Sequence, residues 1–281
     1  MKKRIIFSGG LGNQMFEYAL YRELCYKGMD VEIDLSLYDY VKMHNGYELD
    51  RIFQIDHTNE TRISNRQLHI LFLRILLKFK PSFTIFDENS TFHELKRLEQ
   101  YPGRYFHGYW QSESYFPNVI DEIRKLFVFQ NIDYKNQQKT IQIQRNNSVS
   151  LHIRRGDYVG HDLYANCCTE EYYKKAIQHI IEHVKDPFFY IFSNDPPWAE
   201  KFIKSFHVKH EVVVFNQGEK SYQDMFLMSK CKHNIIANSS FSWWGAWLNS
   251  HPFKIVIAPR KWYQDQTIDY SHIVPDSWIK M

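Results

Sequence analysis

The sequence predicts an α/β protein whose C-terminal half is a parallel, doubly wound sheet. Three observations predict it. From Val149 onward, five short apolar runs alternate with helical segments, the signature of consecutive strand–helix units. The N-terminal segment has the same order once: apolar run, glycine loop, amphipathic helix. Between the two, residues Asn131 to Asn147 are rich in Asn, Gln and Lys and read as a linker. The predicted domains are therefore 1–140 and 141–281.

Arg4 to Phe7 is the first predicted strand, and Ser8-Gly9-Gly10-Leu11-Gly12-Asn13 the loop after it. A helix runs from Gln14 towards Lys27 with Met15, Phe16, Ala19, Leu20 and Leu24 on one face. Gly28 ends it, and Val31 to Asp34 is the next strand. The loop is not a Walker motif, because no Gly-Lys-Ser/Thr follows. Nor is it a dinucleotide fingerprint, because Met15 stands where the third glycine is required. What remains is a row of backbone N–H groups at a helix start, suited to an anion or a hydroxyl.

From Asp39 to Phe129 the pattern alternates poorly and reads as mostly helical. Leu68 to Phe79 is apolar but is interrupted by Arg74 and Lys78, short of the roughly 18 apolar residues a membrane span needs. Such a basic amphipathic helix can lie on a membrane surface. Half burial against the protein is the preferred reading.

Past the linker, Val149 to Ile153 is a strand and Thr169 caps a helix to Val184. Phe188 to Phe192 is a strand ending in Ser193-Asn194-Asp195, and Pro196 and Pro197 open a helix through Phe206. Glu211 to Phe215 is a strand, Tyr222 to Lys230 a helix, and Asn234 to Ala237 a short strand ending in Asn238-Ser239-Ser240. The next helix carries Phe241, Trp243, Trp244 and Trp247, which read as core, and Lys254 to Ala258 closes the set. Right-handed crossovers would bring these strand ends to one rim.

The chain has 281 residues, 44% apolar and 24% charged, with a formal net charge of +3. That charge is too small to argue for nucleic acid and suits a basic pocket for an anionic ligand. Cys25, Cys167, Cys168 and Cys231 have neither zinc spacing nor the density of a disulfide framework. Met1-Lys2-Lys3-Arg4 is followed only by Ile5-Ile6-Phe7 before glycines, so no signal-peptide apolar region is seen. A reducing, cytoplasmic setting is expected.

The most informative stretch is Leu151-His152-Ile153-Arg154-Arg155-Gly156-Asp157-Tyr158. Two arginines end a predicted strand, where α/β folds bind ligands, and a guanidinium matches a phosphate oxygen pair. Asp195 ends a second strand, where a carboxylate can accept from a base or ribose. Asn238, Ser239 and Ser240 precede a helix whose first N–H groups favour an anion. Together these suit a nucleoside diphosphate. The plainer readings are surface ion pairs for the arginines and helix caps for Asp195 and Ser239.

Five blocks in order carry a family resemblance: Ser8-Gly9-Gly10-Leu11-Gly12-Asn13-Gln14-Met15-Phe16, Gly108-Tyr109-Trp110-Gln111-Ser112-Glu113, His152-Ile153-Arg154-Arg155-Gly156-Asp157, Phe192-Ser193-Asn194-Asp195 and Asn238-Ser239-Ser240-Phe241-Ser242-Trp243-Trp244. The chain resembles the bacterial α-1,2-fucosyltransferases, glycosyltransferase family 11, over nearly its whole length. The resemblance implies the GT-B arrangement of two facing Rossmann-like domains, the first on the acceptor side and the second holding GDP-fucose. It implies inverting transfer of L-fucose from GDP-β-L-fucose to the 2-hydroxyl of a galactose-ending glycan, with no cofactor and no metal. Consistent with that, the sequence has no Asp-x-Asp, and Glu32-Ile33-Asp34 is a near miss.

Carried over by motif, His152, Arg154, Arg155 and Asp157 contact the sugar donor around its diphosphate, and Arg154 matches the arginine shared by the wider fucosyltransferase group. Asp195 reads guanine or ribose, Ser239 and Ser240 hold the β-phosphate, Asn238 belongs to the same donor-binding set, and Asn13 with Gly10 and Gly12 lines the cleft from the first domain. Arg154, Arg155 and Asn13 are the catalytic candidates. The Gly108 to Glu113 block is placed in the cleft without a role, and Glu17, Asp34 and Glu113 are equal candidates for the group that takes the acceptor proton. Expected partners are GDP-fucose and a galactose-containing oligosaccharide or polysaccharide, no nucleic acid, and peripheral contact with the inner face of the membrane. Rival readings are a fucosyltransferase of another linkage, including protein O-fucosylation, and a non-catalytic sugar-binding module. An oxidoreductase is disfavoured by the absent dinucleotide fingerprint.

Overall fold

The computed structural model describes residues 2–40, 44–55, 66–88, 94–155, 162–265 and 267–281. The chain forms two compact units. The first comprises Met1–Gln130 with Ser271–Ile273, and the second Asn131–Tyr270 with Val274–Met281. The division thus falls ten residues before the 140/141 boundary expected from composition.

Unit 1 is a parallel sheet of β1 (Lys3–Ile6), β2 (Val31–Asp34), β3 (Ile85–Asp87) and β4 (Tyr105–His107), in the order β2-β1-β4-β3. Its helices are α1 (Leu11–Tyr26), α2 (Ser36–Tyr40), α3 (Leu49–Ile52), α4 (Arg66–Phe79), α5 (Leu95–Gln100) and α6 (Ile120–Leu126). Ile6 pairs with Asp34 and with His107, and His107 with Asp87, so the four strands end along one edge. β1, α1 and β2 lie where the pattern predicts, and Gly28 closes α1 with φ +78°.

β3 and β4 lie inside the segment that reads as helical. Each has three residues, Ile-Phe-Asp and Tyr-Phe-His, too few to display a period of two. Their buried Ile85, Phe86, Tyr105 and Phe106 are recognisable as strand only once β1 has paired with them. α4 is half-buried, as expected: Leu73 and Leu76 pack inward while Leu71, Ile75 and Phe79 are exposed.

Unit 2 is a six-stranded parallel sheet. Its strands are β5 (Asn147–Ile153), β6 (Pro187–Ser193), β7 (Lys209–Val213), β8 (His233–Ile235), β9 (Val256–Ala258) and β10 (Ile279–Lys280), ordered β10-β9-β8-β5-β6-β7. β10 is the strand not anticipated. Its helices are α7 (Tyr134–Arg145), α8 (Glu170–His183), α9 (Pro196–Lys204), α10 (Tyr222–Lys230) and α11 (Ser240–Trp247). Alternation along β6 sends Phe189 and Ile191 into a core with Ile177, Ile180 and Ile203, and Tyr190 and Phe192 into another with Ile143, Leu227 and Met228. Both faces of the sheet are therefore covered. Trp243, Trp244 and Trp247 are buried and pack on one another, core residues as read.

The expected linker is a helix. α7 buries only Asn136 and Ile143, two turns apart, so its solvent faces supply the Asn, Gln and Lys that mimic a linker in composition. Ile143 fastens it to unit 2. The amide of Asn136 donates to Asn216 Oδ1 at 2.9 Å and to Gln223 Oε1 at 2.9 Å. Two Rossmann-like units in one chain is the composition expected of the GT-B class. Among the described residues no helix is long and apolar enough to cross a membrane.

Candidate active site

In unit 2 the chemistry-bearing residues sit at the carboxyl ends of three neighbouring strands, β8, β5 and β6. Ile153, the last residue of β5, pairs with Ser193, the last of β6. Arg154-Arg155 and Asn194-Asp195 therefore leave the sheet side by side, and Arg155 N donates to Asn194 Oδ1 at 2.8 Å. Asp195 is also a helix cap. Its Oδ1 accepts from Trp198 N at 3.3 Å at the start of α9, where Pro196 follows.

The other carboxylate oxygen, Oδ2, faces Arg155 Nε at 3.6 Å, and the Arg155 guanidinium stacks 4.1 Å from the Trp198 ring centroid. Arg155 is thus turned towards Asp195 and Trp198. Sequence alone singles out Arg154 but gives Arg155 no partner, and it overlooks Trp198, whose only signal is its place two residues after Pro196.

His152 is 6% exposed and its ring lies 6.2 Å from that of Phe241, which joins the end of β5 to the start of α11. Its Nδ1 is buried with no protein partner. Burial first, and the charge of Arg154 second, push its pKa down to about 3, so the imidazole is neutral at ordinary pH. Arg154 is half-buried one residue beyond β5.

Between β8 and α11 lies Asn238-Ser239-Ser240. Asn238 is buried and its side chain is spent on the protein: Nδ2 donates to Trp262 O at 3.0 Å, and Oδ1 accepts from Cys168 Sγ at 3.3 Å. The thiol in turn accepts from Asn238 N at 3.3 Å. Asn238 thereby braces the loop from within. Ser239 occupies the N-cap position of α11 without using its side chain to cap, and Ser242 Oγ instead accepts from Ala237 N at 3.3 Å. Ser240 is half-exposed. Asp157, with Gly156, lies outside the described residues.

In unit 1 the residues of the first motif gather at the carboxyl edge of β1. Gly9 has φ +77°, and a Cβ there would lie 2.6 Å from Asn13 Nδ2. The loop is pinned by side chains. Gln14 Nε2 donates to Gly46 O at 2.8 Å, Tyr38 Oη donates to Gly9 O at 2.9 Å, and Glu17 Oε1 accepts from Ser8 N at 2.9 Å. Gly10 is half-exposed at the start of α1, with the His44 ring 3.1 Å from where its Cβ would be. Gly12 is buried in the first turn. Asn13 Oδ1 accepts from Gln111 Nε2 at 2.8 Å.

The proposed proton acceptors separate clearly. Glu17 and Asp34 are fully buried. Burial holds the Glu17 carboxyl well above its ordinary pKa, and Asp34 is engaged by His69 Nε2 at 2.7 Å and Ser36 N at 3.0 Å. Glu113, in a short 3-10 turn, is half-buried. Glu88, just past β3, went unnoticed in the sequence. Its Oε2 accepts from Tyr109 N at 2.8 Å and Trp110 N at 2.9 Å, and burial pushes its pKa up to about 7.

Comparison with known proteins is consistent with this geometry. Residues 57–281 match the model of Glycosyl transferase family 11. An alpha-1,2-colitosyltransferase of Escherichia coli is 33% identical over 98% of this chain and 97% of its own. The O-antigen biosynthesis glycosyltransferase WbnK of Escherichia coli is 34% identical over 98% of each. Galactoside alpha-(1,2)-fucosyltransferase 2 of Gorilla gorilla gorilla is 28% identical over 52% of this chain and 46% of its own. Among solved structures, a mutant of Arabidopsis thaliana FUT1 in complex with GDP superposes with a TM-score of 0.52 at 11% identity, over 95% of this chain and 72% of that one. That likeness is one of fold.

Proposed function

Because the chain belongs to glycosyl transferase family 11, we propose that it moves L-fucose from GDP-β-L-fucose to the 2-hydroxyl of a terminal β-galactose, inverting the anomeric centre without a metal. The observation that carries this reading is the convergence of His152, Arg154, Arg155, Asp195 and the start of α11 on one rim of the unit 2 sheet.

In the proposed step the acceptor oxygen forms a bond to the anomeric carbon as the bond from that carbon to the β-phosphate oxygen breaks. The electron pair leaves with GDP, through an oxocarbenium-like transition state. Negative charge grows on the phosphate, so fixed positive groups there lower the barrier. Arg154, the neutral His152 and the first N–H groups of α11 with Ser239 and Ser240 are assigned to the diphosphate. Arg155 and Asp195, paired beside Trp198, are assigned to the nucleoside. Asn13 is assigned to the reacting sugars, with the Gly10 and Gly12 backbone beside it. The burial of Glu17 and Asp34 supports a proton that leaves to Glu113, to solvent or to phosphate.

The four free cysteines support a reducing, cytoplasmic setting, and contact with the inner membrane face belongs to the same proposal. A second reading takes a colitosyl donor, favoured by the 33% identity to the colitosyltransferase over 98% of the chain. Incubation with GDP-fucose or GDP-colitose and a panel of galactosides, followed by linkage analysis, tests both. Transfer of fucose to the galactose 2-hydroxyl is expected. A different linkage, or transfer of colitose alone, would replace this reading, and absence of GDP binding by calorimetry would leave a sugar-binding module.

A further inference from the structure

Apart from Glu113, the Gly108 to Glu113 block carries no part of the reaction proposed above, yet its backbone is held in an uncommon conformation. Gly108 has φ +151°, and a Cβ there would lie 2.4 Å from Glu88 Cβ. Trp110 has φ +54°, unusual for a bulky residue. Such strain persists only where the surroundings over-determine it. Here one carboxylate oxygen, Glu88 Oε2, accepts from the backbone N–H of both Tyr109 and Trp110. The Trp110 ring is fully buried against Phe86, Phe106 and Tyr115. The next residue, Gln111, is thereby delivered to Asn13.

We propose that Gln111 is a positioning residue that fixes which way the Asn13 side-chain amide faces, with Glu88 and the turn it clamps holding Gln111 in place. The inference rests on the assignment of Asn13 to the reacting sugars. An asparagine amide has one accepting and one donating end, nearly equal in shape. Gln111 Nε2 donates to Asn13 Oδ1 at 2.8 Å. That bond takes one of the two Oδ1 lone pairs and sets Nδ2 against Gly9, where a Cβ would lie 2.6 Å away. Only glycine at position 9 leaves Nδ2 this room. Held this way round, the Asn13 amide keeps its N–H end in a fixed direction, and a sugar hydroxyl or glycosidic oxygen is the ligand chemistry that accepts from it.

Gln111→Met removes the donor at similar length, and Gln111→Glu replaces it with an acceptor that would turn the Asn13 amide over. Each is expected to lower kcat about a hundredfold, the scale of a misplaced contact, with the KM for the nucleotide sugar changed less than about threefold. In an Asn13→Ala background Gln111→Met should cost nothing more. Thermal melts accompany the kinetics, and Gln111→Glu replaces Gln111→Met in the double variant should the latter fail to fold. Wild-type kcat in both Gln111 variants, or the same loss with and without Asn13, overturns the positioning role. Wild-type turnover by Asn13→Ala alone overturns instead the assignment of Asn13 beneath it.

Discussion

The guanidinium of Arg155 lies over the ring of Trp198, 4.1 Å from its centroid, while His152 has its pKa held down by burial first and by the charge of the neighbouring Arg154 second. The two adjacent arginines thus face different neighbours, and their substitutions should separate.

For Arg155 the expected loss is in binding. Arg155→Lys keeps the charge but gives up the planar stack, and Trp198→Ala removes the ring. Both should weaken GDP binding by about tenfold, on the order of a 1.4 kcal/mol cation–π and ion-pair contribution, and leave kcat within a small factor. Calorimetry with GDP beside steady-state kinetics checks this. A kcat collapse with unchanged GDP affinity would reverse the assignment.

His152 and Glu88 make opposite contributions to stability against pH. The unfolded chain protonates His152 near 6.5, but the native imidazole resists until about 3, so stability is lost as pH falls through that interval. Glu88 ionises near 4.5 when unfolded and near 7 in the fold, so its burial costs stability as pH rises from the first value to the second. Glu88→Gln keeps an oxygen for Tyr109 N and Trp110 N and removes that penalty. Its Tm relative to wild type should therefore be higher near pH 8 than near pH 5. An equal difference at both pH values would contradict the assignment.

Gly108 and Gly28 make a matched pair. Both have positive φ, but a Cβ at Gly28 meets nothing within 4 Å, whereas at Gly108 it collides with Glu88. Gly28→Ala should cost about 1–2 kcal/mol, the left-handed backbone penalty alone. Gly108→Ala should cost more, and it should lower transfer as well because Gln111 moves with the turn. Denaturant melts of the two variants check the order, and equal losses would show the Glu88 contact to be soft.

What the sequence made legible follows element length and the regularity of the surrounding strand–helix alternation, which exposes even the three-residue β8 and β9. β5 and β6 are seven residues each, β5 alternating Val149, Leu151 and Ile153 with polar residues and β6 nearly all apolar, and the predicted ends lie within two residues of them. β3 and β4 are three residues each and could be recognised only through their partners. α7 was lost because a helix that buries two residues has the composition of a linker. Thr169 caps α8 as predicted, and Asp195 caps α9 as its plainer reading has it, whereas Ser239 does not use its side chain to cap α11. Glu88 could not be found, since its importance comes from two backbone N–H groups 21 and 22 residues away. Nor does sequence reveal that the Asn238 amide bonds to Trp262 and Cys168.

The central claim is that Arg154, with the start of α11, stabilises a departing diphosphate without a metal. The most direct test is transfer from GDP-fucose to a galactoside in excess EDTA, by the wild type and by Arg154→Ala of matched Tm. The account predicts full wild-type turnover and, for the variant, a loss of about 10²–10³ in kcat, the scale of one oriented charge stabiliser, or ~2.7–4 kcal/mol. Wild-type-like turnover by Arg154→Ala, or wild-type activity that disappears in EDTA and returns with manganese, would contradict it.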